Sequence, residues 1–434
     1  MPQKSLPIVT VTLDKIVGGG QALATMDDGR KIFVWGGLPG EQVEVQLTKR
    51  KSKLAEGVVI NVLTVSDERI KPTDADSYMS TSPWQIMSFD AEQRYKSALI
   101  EEAFELHDIV LPDPIAMYSD ERIFEYRNKI EYSFWWDNER DQLDLAFFRR
   151  GTHGKIAIEK TSLASTEITA ASQRLLELLR NKQVNGFSLK TLLVRSARSG
   201  AVSMQLYVKD KDAIIFDAND FTRLDVQGFE IIYSNPKSPA SVITERLVAF
   251  GSTTLIDTIL DISYRYSTES FFQINLPVYE QALHDMKEWV QADKPTVDLY
   301  SGVGTIGLSI GSSPLTLVEI NESAVDEMKA NISELERSDS ATAILAASEN
   351  ALDYIDNESL IIVDPPRAGL HDDVIAKLLD EKPERIIYLS CNPVTQARDV
   401  MKLADTYGIR WHRGYNFFPR TPHIEHLVIL DKKA

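Results

Sequence analysis

The chain has 434 residues, 26% of them charged, a net charge of −17 and one cysteine, Cys391. This length exceeds one ordinary core, so two or three domains are expected, and a lone cysteine excludes an internal disulfide framework and any multi-cysteine zinc or iron–sulfur centre. No apolar run approaches the ~20 residues that span a bilayer, and "MPQKSLPIVTVTLDK" lacks a basic segment followed by an apolar core, so a cytoplasmic, monomeric protein is expected.

Residues 8–65 read as short strands, "IVTVTLDKI", "GQALATM", "KIFVWG", "EQVEVQLTKR" and "AEGVVINVLTV", with turn signals "GGG", "DDG" and "GLPGE" between them. Five strands in so short a stretch predict a small barrel of the oligonucleotide-binding type, or a β-cap of the same shape without a ligand. Net acidity argues against a nucleic-acid partner, because phosphate contacts need Lys and Arg. The balance is local, however: residues 1–66 carry eight Lys/Arg against six Asp/Glu, with Lys49, Arg50 and Lys51 inside the basic run "LTKRKSK".

Residues 88–107 read as a capped amphipathic helix. From about 123 to 262 strands alternate with helices, opening on "FEYRNKIEYSFWWD", whose aromatics read as a half-buried sheet rather than a base-stacking platform. From 296 onward "TVDLYSG", "LTLVEI", "ATAILAA", "LIIVDPP" and "RIIYLS" lead through helices or loops to "IRWHRGYNFF" and "EHLVIL". That rhythm predicts a doubly wound, Rossmann-like α/β sheet. The expected domains are a barrel at 1–67, a central α+β domain at 68–262, whose helix at about 90–107 is free to pack elsewhere, and a catalytic domain at 263–434.

After its first strand the sheet carries Gly302, Gly304 and Gly307 in G-x-G-x-x-G spacing, with Glu319 ending the second strand. The string suits a dinucleotide or S-adenosylmethionine, since both need close backbone approach and an acid for ribose hydroxyls. "LIIVDPPRAG" separates the two. An acid at a strand end followed by two prolines makes a rigid projection at the ligand crevice, of use to a base methyltransferase and not to a dehydrogenase. Enzymes that methylate exocyclic amines commonly carry an aromatic after those prolines; Arg367 stands there instead. Cys391 ends the next strand on the same rim. A thiolate there adds to C6 of a pyrimidine and makes C5 nucleophilic, after which a base must remove the C5 proton.

These residues resemble the RNA uracil-5-methyltransferase family over nearly the whole chain. "SCNPVTQARD" is similar to the family's nucleophile motif and implies Cys391 as nucleophile; "FPRTPHIEHLVIL" is similar to its closing motif and implies Glu425 as the base. Asp364 falls on both the catalytic and the cofactor positions. For S-adenosylmethionine the resemblance further implies Gln273 in "ESFFQIN", Tyr300 and Gly302 in "DLYSGVGT", Glu319, and Asn350 in "ASENAL". The barrel looks like a TRAM domain, implying RNA contacts by Lys49, Arg50 and Lys51, and "YRNKIEYSF" implies Arg127 and Lys129 near the RNA. The implied substrate is a uridine in structured ribosomal RNA, with transfer RNA the alternative.

Many members of that family hold an iron–sulfur cluster through C-x5-C-x2-C and a fourth distant cysteine. Here the matching positions read Thr73, Met79 and Ser82, with the fourth near Thr161, and these side chains cannot replace thiolates. No cluster and no other metal is expected. Three rivals remain: an RNA cytosine-5-methyltransferase, which generally needs a second cysteine; an RNA-binding protein without activity; and a nicotinamide oxidoreductase, favoured by the glycine string alone. His426 opens an apolar strand and reads as a packing residue beside Glu425.

Overall fold

The computed structural model describes residues 6–434 apart from 153 and 213. The N-terminal sheet joins β1 (Ile8–Thr12), β2 (Lys15–Ile16), β3 (Ala22–Thr25), β4 (Lys31–Trp35), β5 (Gln42–Arg50) and β6 (Leu54–Thr64) in the order β1-β5-β6-β4-β3-β2. The stretch "IVTVTLDKI" is thus two strands and not the single one expected. Leu13 N–H donates to the Glu41 carbonyl at 2.9 Å and Asp14 N–H to that of Leu23 at 2.8 Å, so the chain changes partner strand between them.

A linker with α1 (Tyr78–Thr81) and a 3₁₀ turn at Pro83–Ile86 leads to α2 (Phe89–Glu105), whose Ser88 cap accepts from Ala91 N–H. Helix α2 packs on the C-terminal unit, as the sequence allowed, and the short β7 (Met117–Tyr118) joins that unit's sheet. Barrel, α2 and one face of the C-terminal sheet share a single apolar core that runs from Val11 and Val43 through Trp84 and Phe104 to Val363 and Val428.

The central sheet contains β8 (Lys129–Asp137), β9 (Gln142–Phe148), β10 (Lys155–Ile158), β11 (Leu189–Ser196), β12 (Val202–Val208), β13 (Gly228–Tyr233) and β14 (Glu245–Gly251), ordered β10-β9-β8-β11-β12-β13-β14. Helix α3 (Thr166–Asn181) lies on it, and α4 (Ala218–Leu224) makes the one parallel crossover, from β12 to β13. The hairpin β15 (Thr254–Ile259) and β16 (Ile262–Ser267) corrects the expected division at 262/263, which would cut it in two. Leu255, Ile259, Tyr264 and Tyr266 are buried in the core of the C-terminal unit, so the break lies ahead of β15.

After α5 (Leu276–Lys287) come β17 (Thr296–Leu299), α6 (Thr305–Ile310), β18 (Leu315–Glu319), α7 (Glu322–Glu334), β19 (Ala341–Leu345), β20 (Leu360–Val363), α8 (Asp372–Glu381), β21 (Arg385–Ser390), α9 (Pro393–Leu403), β22 (Tyr407–Tyr415) and β23 (Glu425–Lys432). The order is β19-β18-β17-β20-β21-β23-β22-β7, with β17 to β21 parallel and β23 reversed against β21. The chain winds outward from β17 and then back to β20, so the crevice at the strands' carboxyl ends opens there. No helix of the described residues is long and apolar enough to cross a membrane.

Candidate active site

A cavity of about 730 Å³ opens at that crevice. Its cofactor half grows from the turn after β17. Tyr300 and Gly302 both have positive φ, 65° and 58°, costly for tyrosine and free for glycine. A Cβ on Gly302 would meet nothing within 4 Å, whereas one on Gly307 would lie 2.5 Å from Leu317 Cδ2. Gly302 therefore faces open cavity, and Gly307 serves close helix–strand packing. Glu319 lines the same half and accepts from Gly302 N–H at 3.0 Å and Asn321 N–H at 2.7 Å.

Gln273 lies on the wall of the cavity, on the loop that follows β16. That loop is held by the buried Arg195, whose Nη1 donates to the carbonyls of Ser267 at 3.2 Å and Ser270 at 2.7 Å, while Asn128 Nδ2 donates to the Gln273 carbonyl at 2.9 Å. With Ser348, Glu349 and the exposed Ile320 beside them, these groups present an acid for hydroxyls, an apolar face for a ring and polar atoms for an amino-acid tail. This donor set fits S-adenosylmethionine.

The reactive half follows from strand direction. Ser390 pairs with His426 across antiparallel β21 and β23, so Cys391, one residue past β21, and Glu425, at the start of β23, leave the sheet on the same edge. Val363 pairs with Tyr388, which brings Asp364 to that edge too. All three line the cavity. Burial pushes the Cys391 thiol up to about 12, with the carboxylates of Glu425 and Asp364 adding to the shift and Arg367 opposing it. Burial also raises Asp364 to about 7 and holds Glu425 well above the usual carboxylate range. Burial and then Arg367 depress His423 to about 3. The ring is neutral, and its Nδ1 accepts from Arg367 Nη2 at 3.2 Å.

The loop carrying Phe418 and His423 into the cavity is gripped from behind by buried charge that sequence reading missed. Lys96, fully buried on α2, donates to Asn416 Oδ1 at 2.6 Å and to the Phe418 carbonyl at 3.1 Å, and pairs with Glu92 at 3.1 Å. Glu92 accepts the Arg420 backbone N–H at 3.0 Å and Asn416 Nδ2 at 2.9 Å. Arg420, at φ 65°, donates from Nη1 to the Met87 carbonyl at 2.8 Å. The one signal in the sequence was a lysine and a glutamate at i, i+4 on a helix otherwise read as solvated on its polar face.

Other expected residues fall elsewhere. Asn350 is exposed and off the cavity; Ala347, Ser348 and Glu349 of the same turn line it instead, because the 3₁₀ turn Ser348–Asn350 rotates the asparagine outward. Arg127 reaches the cavity, but Lys129 does not: its Nζ turns toward the Glu269 carbonyl at 3.5 Å, and burial lowers it to about 8. Lys49, Arg50 and Lys51 sit at the β5–β6 end of the barrel, away from the cavity, where Lys49 pairs with Glu56 at 2.9 Å and Arg50 with Asp28 at 4.0 Å. At the positions matching cluster cysteines, Ser82 and Thr161 converge on a polar knot around Asp74 and Gln85: Thr161 Oγ1 donates to Asp74 at 3.3 Å and Gln85 Nε2 donates to Ser82 Oγ at 2.7 Å. Met79 instead packs on Gly36 of the barrel. Among the described residues no group of three or more His, Cys, Asp or Glu is placed to hold a metal.

A doubly wound sheet with this cavity defines a methyltransferase architecture. Family models match the chain twice, that of the tRNA (uracil-5-)-methyltransferases over residues 90–433 and that of the TRAM domain over residues 8–60. The chain belongs to the tRNA (uracil-5-)-methyltransferase family and is an S-adenosylmethionine-dependent RNA methyltransferase. It is 27% identical over 457 residues to an uncharacterized RNA methyltransferase of Enterococcus faecalis, covering 99% of this chain and 98% of the relative. It is 26% identical over 444 residues to one of Thermotoga maritima, covering 97% and 98%. Among solved structures it resembles the Pyrococcus abyssi tRNA (uracil-54, C5)-methyltransferase in complex with S-adenosyl-L-homocysteine. The TM-score is 0.79 at 23% identity, over 97% of this chain and 100% of that one, a likeness of fold.

Proposed function

We propose that this enzyme methylates C5 of a specific uridine in structured RNA through a covalent Cys391–C6 adduct. The observation that carries the reading is one cavity lined by Cys391, Glu425 and Asp364 on one side and by Gln273, Tyr300, Gly302 and Glu319 on the other. Ribosomal RNA is the first candidate target; the name of the matching family favours transfer RNA as the second.

The target base leaves its stack to enter the cavity, because C5 and C6 are unreachable within a helix. Asp364 and the two prolines after it position the ring. The Cys391 thiol is protonated at rest and loses its proton to solvent as sulfur adds to C6, which concentrates charge on C5. When bound, S-adenosylmethionine supplies an electrophilic methyl group on a sulfonium. Glu425 then takes the C5 proton, the C6–S bond breaks with sulfur leaving as thiolate, and a proton from solvent restores the thiol. Lys49, Arg50 and Lys51 offer phosphate contacts on the barrel, and Arg127 offers one at the cavity mouth.

Mapping 5-methyluridine in ribosomal and transfer RNA of a strain lacking the gene should show one site lost from one pool; a lost 5-methylcytidine would instead identify a cytosine enzyme. Cys391→Ala should form no RNA adduct, and Glu425→Gln should accumulate a methylated one. Labelled S-adenosylmethionine should bind and NAD should not, which separates the reading from the oxidoreductase.

A further inference from the structure

Cys391 is a wall of two cavities. The second, about 300 Å³, lies on the far side of the thiol and runs beneath the barrel loop at Gly18 and Gly19. Arg367 and His423 border both spaces. The floor of the second is apolar: Leu99 of α2, Pro393 and Val394 at the start of α9, and Ile424. Val394 keeps 48% of its surface exposed although it sits beside the reactive residue.

The roof is fixed at one end and bare at the other. The Gly20 carbonyl accepts from Trp84 Nε1 at 3.0 Å, and a Cβ there would lie 2.1 Å from Pro422 Cβ. Gly20 is therefore pressed onto the segment that leads to His423 and Glu425. A Cβ on Gly18 would meet nothing within 4 Å, nor would one on Gly19, whose φ of 88° favours glycine for the backbone alone. The space below them is open. Arg367, at the throat between the cavities, meets His423 and forms no salt bridge with a carboxylate of the described residues.

We infer that this groove is a subsite for the nucleotide next to the flipped uridine, with Arg367 meeting the phosphate that joins the two. The inference rests on the proposed RNA substrate and deepens it. A base that enters the first cavity stays bonded to both neighbours, and its backbone must cross the rim. The rim residues common to both spaces are an arginine without an anionic partner, a neutral histidine and the nucleophile. Phosphate contacts fix register, and an apolar floor receives the face of a base without reading its identity. The barrel then contributes at the reaction centre itself: its glycine loop at Gly18 and Gly19 lines the subsite, where the absence of side chains leaves the approach open.

The test uses full-length enzyme and oligonucleotides centred on the uridine mapped above. Gly18→Leu, whose Cβ has free space around it, should crowd the mouth of the groove, and Val394→Asp should repel the adjoining phosphate. Each should raise KM for RNA at least tenfold while leaving S-adenosylhomocysteine affinity and Tm unchanged. Removing the nucleotides on one side of the uridine should cost the wild type a similar factor and Gly18→Leu almost nothing. Unchanged KM in both variants, with normal wild-type methylation, overturns the subsite and leaves the proposed function standing. A KM effect on an enzyme that methylates cytidine overturns the proposed function and leaves the subsite.

Discussion

Two sets of buried charge meet at the loop 416–423, and they are built in opposite ways. Behind it, Glu92, Lys96 and Arg420 are each tied by hydrogen bonds or ion pairs to the loop, to one another or to a neighbouring carbonyl. In the cavity, Asp364 and Glu425 accept no hydrogen bond from the described side chains and backbone, and burial raises both. A satisfied buried network is structural and rigid, whereas a carboxyl buried without a partner is kept in an unfavourable state that a substrate can exploit. The difference gives the proposed mechanism its test: the carboxyls it uses are left without partners at the cavity, and the paired groups hold the loop beside them.

The sharpest break of this comparison removes one carboxylate from each set. Glu425→Gln should lower kcat by about 10²–10⁴-fold, the usual contribution of a general base, with little change in urea midpoint. Glu92→Gln should cost about 3–5 kcal/mol of stability, because it strands the Lys96 ammonium in a dry interior. Lys96→Met should cost a similar amount. The double variant Glu92→Gln/Lys96→Met should be more stable than either single one, since no uncompensated charge remains. Equal losses of activity and stability at Glu425 and Glu92 would erase the distinction.

A second prediction sharpens it through pH. The single cysteine makes alkylation a clean probe. With the thiol pushed up to about 12, the labelling rate of the free enzyme should rise about tenfold per unit between about pH 6 and 9, as a thiolate fraction does well below its pKa. A plateau near pH 8 would show an ordinary thiol. The sign for Asp364 runs the other way in stability. Its folded value is raised to about 7 from 3.8, so the folded state binds the extra proton, and this contribution is full below about pH 4 and lost as pH rises through about 7. Stability of the wild type relative to Asp364→Asn should therefore fall across that interval, read from urea midpoints.

What the sequence made legible was whatever depends on strand ends. "LIIVDPP", "IIYLSC" and "EHLVIL" are strongly patterned, and once the doubly wound order is assumed, Asp364 and Cys391 must share one edge; Glu425 joins them only because β23 runs antiparallel to β21, a reversal that the pattern does not show. The outward turn of Asn350 was not legible, because a 3₁₀ turn has no apolar period to fix which side chain faces in. Lys129 shows the limit of reading charge alone, which does not tell a solvated lysine from one turned toward a neighbouring carbonyl. Lys96 and Glu92 were invisible for a different reason: they meet Asn416 and Arg420 only through tertiary contact more than 300 residues away along the chain. The hairpin at Thr254–Ser267 was divided because its strands read like those of the sheet before it, and only packing shows which core they join.

The smallest effect concerns the knot at Asp74, a half-buried carboxylate that tests whether satisfaction alone marks a structural role. Its carboxylate accepts from Ser162 N–H at 3.0 Å, Ser162 Oγ at 2.8 Å and Gln85 Nε2 at 3.1 Å, tying the linker ahead of α2 to the segment before α3. Both its oxygens accept hydrogen bonds, as do both oxygens of Glu92. Asp74→Ala should therefore cost about 1–3 kcal/mol, the penalty for leaving buried donors unmet, and leave kcat and S-adenosylhomocysteine affinity intact. Asp74→Asn, which retains one acceptor, should cost less. Iron analysis of both variants and of the wild type, purified without air, should stay far below stoichiometry, because hydroxyls and a thioether at Thr73, Met79, Ser82 and Thr161 supply no thiolate. If Asp74→Ala kept full stability but lost activity, the knot would belong with the cavity carboxylates, and the division between paired and unpaired charge would no longer sort structure from chemistry in this enzyme.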